Sequence, residues 1–299
     1  MPDVHWGQYP PASHLIVHLS DTHFLDAEKA LYGAVDTDST LHRALEQLEQ
    51  SGLRPDALVL TGDIADRGEP GAYRRVRDLV ETAAERLGAA VVWVMGNHDE
   101  RAAFRTELLR EEASAGPVDA VFDIRGLRII ALDTSVPGYH HGELSDEQLA
   151  WLADVLTETA PHGTLLALHH PPVPTSSPLM SILELREQSR LAEVVAGSDI
   201  RAILGGHMHS ATTGTFAGIP VSVAAATCYT IDPAAPRREL AGVDGAQSFN
   251  LVRVHEDQIV HSHVPIGLFD VVTRFDADFV ERLTHLTAEE RTEAFSRHT

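Results

Sequence analysis

Residues 56–63 read Asp-Ala-Leu-Val-Leu-Thr-Gly-Asp, DALVLTGD. A short apolar run is bounded by Pro55 and Gly62 and ends on a carboxylate, Asp63. Its length and its turn residues on both sides predict a buried strand. The same design occurs before and after it. HLIVHLSDTH (14–23) is an apolar strand that breaks into a polar loop at Ser20, and AAVVWVMGNHD (89–99) is another strand running into a loop. Between them, STLHRALEQLEQSG (39–52) places Leu41, Leu45 and Leu48 at helical spacing and stops at Gly52. EPGAYRRVRDLVETAAERLG (69–88) also reads as a helix. Strand, helix, strand, helix, strand over the first hundred residues predicts an α/β layer.

The alternation continues. AVFDIRGLRIIALD (120–133) reads as two strands joined by a turn at Gly126, and SDEQLAWLADVLTE (145–158) as a helix capped by Ser145. GTLLALHHPPVP (163–174) is a strand that stops at two prolines. ELREQSRLAEVVAG (184–197) is expected to be a helix, and IRAILGGHMH (200–209) a strand entering a loop. From 212 to 264 the pattern predicts β-hairpins around Gly218 and Asp257, with 231–246 as a loop. The last thirty residues read as one amphipathic helix with a frayed end.

The chain has 299 residues, 43% hydrophobic and 22% charged, which suits a globular protein with a large core, in one large domain or two small ones. The apolar runs fall short of the roughly 18–20 residues that span a bilayer. The N-terminal MPDVHWGQYPPASH lacks the basic and apolar regions of a signal peptide. One cysteine, Cys228, excludes an intrachain disulfide framework. Residence in the cytoplasm is the simplest expectation, with attachment at a membrane surface a weaker option. A formal net charge of −21, from 23 basic and 44 acidic residues, argues against polymeric DNA or RNA as a partner. A small phosphate ester remains compatible if bound metal ions supply local positive charge, and 18 histidines point that way.

Position decides the matter. Asp21 and His23 follow the first strand, Asp63 the second, and Asn97 and His98 the third. His169 and His170 end the strand at 163–170, and His207 and His209 follow the strand at 200–205. In α/β folds the carboxyl ends of strands are where ligands bind. Imidazole with carboxylate suits Zn, Fe and Mn rather than soft metals. Asp21, His23, Asp63, Asn97, His169, His207 and His209 are too many donors for one tetrahedral site. They suit two ions sharing one carboxylate. Two divalent ions bring roughly +4, against two carboxylates and one bridging hydroxide, so a net charge of about +1 remains to attract a phosphate ester. Asn97 as a neutral oxygen donor preserves that charge.

The blocks DTH (21–23), GD (62–63), GNHD (96–99), HHP (169–171) and GHMH (206–209) resemble, in order and spacing across 14–226, the signature of the calcineurin-like metallophosphoesterases. The flanking stretches LYGAVDTDSTLHRALEQLEQSGLRPDALVLTGDIADRGEPGAYR, LRIIALDTSVPGYHHGEL and PVSVAAATCYT are similar to the class III cyclic nucleotide phosphodiesterases, particularly their mycobacterial members.

The resemblance implies a four-layer α/β sandwich of two central mixed β-sheets flanked by helices. It implies a metallophosphoesterase domain over 14–265, an N-terminal extension over 1–13 and a C-terminal helical extension over 266–299. It assigns Asp21, His23 and His209 to one ion, Asn97, His169 and His207 to the other, and Asp63 to both. The ions would be Fe with Mn or Mn alone, with Zn a further option. The implied reaction is hydrolysis of a cyclic nucleotide, 3′,5′-cAMP to 5′-AMP, by a metal-bridging hydroxide.

His98 matches the family's non-ligand histidine that reaches the scissile phosphate and would protonate the leaving oxygen. Asn97, Tyr139 and His140 are candidate substrate contacts. Asp66 and Arg67 read equally as supports of the site or as a loop carboxylate and a surface arginine. A homodimer is implied. The alternatives are a broad-specificity phosphodiesterase or phosphomonoesterase, a 2′,3′-cyclic nucleotide phosphodiesterase, and a non-catalytic metal-binding scaffold.

Overall fold

In the computed structural model, which describes residues 6–27, 29–175, 177–236 and 239–297, strand β2 (Ala57–Thr61) is buried along its whole length. It lies between β1 (His14–Leu19) and β3 (Ala90–Val94), parallel to both, with Leu58 opposite Val17 and Val91. Two antiparallel strands, β12 (Ser248–Val254) and β13 (Ile259–Pro265), extend this sheet beyond β1, in the order β13-β12-β1-β2-β3.

The second sheet has the order β4-β5-β6-β7-β9-β8. Its parallel centre is β5 (Leu127–Leu132), β6 (Thr164–Leu168), β7 (Ile200–Gly205) and β9 (Ile219–Val223). Antiparallel β4 (Ala120–Ile124) and β8 (Thr212–Phe216) close its edges.

Side-chain alternation explains why these strands read as unbroken apolar runs. Ile16, Val59, Val92, Ile129, Leu165, Ala202 and Val252 form one core, between the sheets. Their neighbours Val17, Leu58, Leu60 and Trp93 pack with residues of helices α1 (Thr37–Gln50) and α2 (Pro70–Leu87). Ile130, Leu166 and Ile203 pack with α4 (Asp146–Val155) and α5 (Gln188–Val195), which follow the short α3 (Arg101–Phe104). Each central strand therefore faces apolar neighbours on both sides. Full burial of a Leu58 or Leu60 side chain stabilises by about 1.5–3 kcal/mol. The result is the expected α/β sandwich of helix, mixed sheet, mixed sheet and helix.

Local chemistry sets the boundaries. Arg125 and Gly126 both have positive φ in the tight turn between β4 and β5. Ser145 caps α4 with a full capping box to Gln148.

The expected helix over 184–197 begins only at Gln188. Leu185 forms an isolated bridge with Gly142 and Arg186 N donates to Gly142 O at 2.8 Å, so this backbone is committed elsewhere. At the start of the expected loop over 231–246 and inside it, Thr230–Ile231 (β10) and Gly242–Val243 (β11) pair as a small ribbon.

Two compact units divide the chain: Ala12–Ile266, and the described residues of Met1–Pro11 with Gly267–Thr299. In the second, the expected single helix is broken. α6 (Ala277–Thr284) ends at His285, and a capping box from Thr287 to Glu290 starts α7 (Ala288–Arg291). Phe275, Phe279 and Phe295 cluster there, and Arg291 lies over the Trp6 ring. No helix among the described residues is long and apolar enough to cross a membrane.

A candidate metal centre between the two sheets

The carboxyl ends of the parallel strands deliver all seven expected ligand residues to one place. β1, β2 and β3 bring Asp21, His23, Asp63 and Asn97, while β6 and β7 bring His169, His207 and His209. The loops are laced by backbone hydrogen bonds. Asp21 N donates to Gly62 O at 3.1 Å, His23 N to Asp63 O at 2.9 Å, and Gly206 N to His169 O at 3.0 Å.

Two glycines make the close approach sterically feasible. A Cβ at Gly96 would fall on the amide and carboxylate of Asp63, and one at Gly206 on the Ser20 hydroxyl. Gly96 has no positive φ. Its contribution is space rather than the backbone freedom that a glycine at this point of the sequence suggests. Five of the seven residues hold left-handed backbone: Asp21 (φ 52°), His23 (46°), Asp63 (49°), His207 (66°) and His209 (53°). Such strain costs on the order of 1 kcal/mol or more per residue and clusters at functional sites.

The side chains converge. Asp63 Oδ2 is 3.4 Å from His23 Nε2 and 3.4 Å from His169 Nε2. His209 Nε2 lies 3.3 Å from Asp21 Oδ1 and 3.2 Å from His23 Nε2. Asn97 Oδ1 is 3.1 Å from His169 Nε2. All but Asn97 are buried.

The outer nitrogen of each histidine is held by an acceptor. His23 Nδ1 meets Asp66 Oδ1 at 3.0 Å, and His169 Nδ1 meets Thr61 O at 2.7 Å. His207 Nε2 meets Leu183 O at 3.1 Å, and His209 Nδ1 meets Tyr229 O at 2.9 Å. This is the pattern that fixes a tautomer and leaves the other nitrogen bare for a metal. His170 differs. Its two nitrogens bond Thr134 Oγ1 (2.8 Å) and His140 O (3.1 Å), so neither is left for an ion.

The electrostatics follow. Burial works against the Asp63 carboxylate, but the His169 and His23 imidazoles outweigh it and hold its pKa well below the usual range. Burial likewise opposes ionisation of Asp21, and His209 prevails. His169 is raised to about 9, against its burial, by Asp63. His209 is raised to about 10, against its burial, by Cys228 and Asp21. His207, by contrast, is pushed well below the usual range by burial and by His169. Protons on imidazoles here balance the buried carboxylates. Divalent ions would take over that role and release those protons.

The surrounding candidates separate. His98 N donates to Asp63 Oδ1 (2.8 Å) and His98 Nδ1 to Asp66 O (2.8 Å), and among the described residues its Nε2 has no hydrogen-bond partner. Asp66 thereby touches both the candidate ligand His23 and His98, while the exposed Arg67 meets only its outer oxygen at 3.5 Å. His140 Nδ1 accepts from Asn97 Nδ2 at 2.8 Å, and its ring lies 4.9 Å from that of His98. Tyr139 is 61% exposed, its ring beside His141 rather than beside the ligand cluster.

Supports that the sequence reading missed include the Thr61, Leu183 and Tyr229 carbonyls, which carry no side-chain signal. Another is Arg101, which ties the loop after Asn97 to Asp133 at 3.0 Å. Cys228 is buried, with Sγ 3.8 Å from His209 Nδ1.

The chain is similar to known proteins in sequence and in fold. The chain is 55% identical over 269 residues to the cAMP/cGMP dual specificity phosphodiesterase of Mycobacterium tuberculosis, covering 90% of this chain and 85% of that protein. It is 30% identical over 265 residues to the 3′,5′-cyclic adenosine monophosphate phosphodiesterase CpdA of Escherichia coli K12, covering 88% and 92%. A dimetal phosphatase from Danio rerio shares the fold, with a TM-score of 0.62 at 17% identity over 86% of this chain and 98% of that one. With residues 14–211 also matching the sequence profile of that family, the chain belongs to the calcineurin-like phosphoesterases.

Proposed function

We propose that the protein is a binuclear metal-dependent phosphodiesterase that opens cyclic nucleotides, 3′,5′-cAMP to 5′-AMP foremost. The observation that carries this reading is the placement of Asp63, one carboxylate oxygen equidistant from His23 and His169. Those residues belong to two different donor groups, which suits a shared ligand. Asp21, His23 and His209 would hold one ion and Asn97, His169 and His207 the other. Four imidazoles, two carboxylates and an amide oxygen fit Fe or Mn, and Zn also accepts such donors. When bound, two such ions supply a water of lowered pKa and offset the charge of the phosphoryl oxygens.

The chain's own residues do the rest. Asp66 O fixes the His98 ring through Nδ1, which presents Nε2 to the substrate. Water adds across the P–O3′ bond: a P–O bond forms to the water oxygen, the P–O3′ bond breaks, the departing O3′ takes a proton from His98 Nε2, and a proton of the water passes to solvent, from which His98 regains its own. His140, beside His98, and the Asn97 amide line the approach, and Tyr139 is assigned to its outer wall. In this reading the catalytic unit is 14–265, with 1–13 and 266–299 as extensions, and the protein works as a cytoplasmic homodimer.

Metal-stripped protein reconstituted with Mn should turn over 3′,5′-cAMP, cGMP and 2′,3′-cAMP in a kinetic panel beside simple aryl phosphodiesters. A cyclic nucleotide used tenfold worse than a generic diester would overturn the substrate assignment. Light scattering tests the dimer.

A further inference from the structure

An amide ligand raises a question that a carboxylate does not. The two ends of the Asn97 side chain are nearly alike in shape, but only the oxygen can meet a cation, and the amino end repels it. Its neighbours make the choice. Asn97 Oδ1 faces His169 Nε2 at 3.1 Å, and Asn97 Nδ2 donates to His140 Nδ1 at 2.8 Å. The His140 ring therefore holds the amino end and leaves the oxygen turned to the ligand cluster.

His140 is exposed and stands on the loop between β5 and α4. What fixes it there is His170, which is fully buried, its ring edge-on to His169 at 4.9 Å and 4.5 Å from that of His207. A carbonyl only accepts, so His170 Nε2 donates to His140 O at 3.1 Å. In the neutral ring Nδ1 then accepts from Thr134 Oγ1 at 2.8 Å, near the start of the same loop. The loop closes tightly on this ring: a Cβ at Gly142 would stand 2.6 Å from His170 Cγ. Gly142 is also tied to the segment before α5. Its N donates to Glu184 O at 3.2 Å, and its carbonyl accepts from Arg186 N at 2.8 Å. The position of His140 is thus set by the strand end that carries His169.

We propose that His170 is a positioning residue: by anchoring the His140 main chain it sets the ring that turns the Asn97 oxygen towards its ion. This role rests on the two-ion reading above, in which Asn97 is a ligand. Such an anchor matters to an amide and not to a carboxylate, whose two oxygens are equivalent. Asn97→Asp therefore separates orientation from packing.

The test is calorimetric titration of metal-stripped protein with Mn, which reads the affinity of each binding step. The step that Asn97→Ala weakens identifies the ion of Asn97. His140→Phe and His170→Phe each keep a ring and remove the hydrogen bonds. Each should weaken that step about tenfold, the low end of what losing a hydrogen-bond partner behind a metal ligand costs, and leave the other step unaltered. Combined with Asn97→Asp, neither should weaken it further. Because the readout is metal affinity, any contact of His140 with substrate does not enter. A loss that persists beside Asn97→Asp, or equal weakening of both steps, would overturn the orienting role and reduce His170 to packing for His169 and His207. Unchanged affinity in His140→Phe, an exposed position that keeps the test open if His170→Phe does not fold, would overturn it too. Wild-type protein that takes up one Mn only, or an Asn97→Ala variant that weakens neither step, would instead overturn the two-ion reading.

Discussion

Replacing Asp99 by alanine removes one acceptor that holds two strand ends together. Asp99 Oδ2 accepts from Gly96 N (2.8 Å) and Ile64 N (3.2 Å), and Oδ1 from Ala65 N (3.0 Å) and Tyr73 OH (2.9 Å). Ile64, Ala65 and Tyr73 are fully buried while Asp99 is partly exposed, so water can replace the carboxylate only in part. A stranded buried donor costs about 1–3 kcal/mol. Four of them, even at the low end of that range, remove about 4 kcal/mol, a large fraction of the roughly 5–15 kcal/mol that holds a domain folded.

The carboxylate has a cost of its own. Burial and the Asp63 charge push its pKa up to about 6. A folded pKa above the unfolded one means a contribution that is fully present below about pH 4 and lost as pH rises through 6. Asp99→Asn removes that titration and keeps a carbonyl acceptor. Its deficit relative to wild type should therefore be smallest at pH 7 and grow as pH falls towards 4. Urea denaturation of wild type, Asp99→Ala and Asp99→Asn across pH 4–7 measures both effects. A loss below about 1 kcal/mol for alanine, or a pH-independent deficit for asparagine, would refute the reasoning.

Other substitutions probe the division of labour at the site. His98→Ala should retain both metals by elemental analysis while kcat falls about 10²–10⁴-fold, the range of general acid–base catalysis; parallel loss of metal would contradict its role. Asn97→Ala should lower occupancy of the second ion in Mn titration, and unaltered stoichiometry would remove Asn97 from the ligand set. Ser145→Ala deletes the α4 cap and should cost about 0.5–2 kcal/mol in thermal or chemical unfolding with no change in metal content.

Much of the fold was legible in the sequence because burial on both faces of a strand leaves an unmistakable apolar run. DALVLTGD is read correctly for that reason, and the same holds for the runs before Asp21, Asn97 and His169. Ligand-type residues just past such runs are conspicuous because nothing in a core calls for them. What stayed hidden depends on partners distant in the chain. The late start of α5 follows from a bridge between Leu185 and Gly142 that no local propensity encodes. The acceptors that orient His169, His207 and His209 are backbone carbonyls, identical in every residue type. The break between α6 and α7 was visible in principle, since Thr287 and Glu290 form a capping box, but helical periodicity runs through it.

The candidate ligand residues are divided between the sheets, four from one and three from the other. The faces that meet between those sheets are largely aliphatic, a contact that resists separation better than it resists sliding. A pair of ions held from both sides would act as a rivet at one end of that seam. Under a pulling force applied across the two sheets, the loaded protein should yield abruptly and late, and the stripped protein gradually and early. The same chemistry that prepares water for attack would then also set the mechanical strength of the molecule.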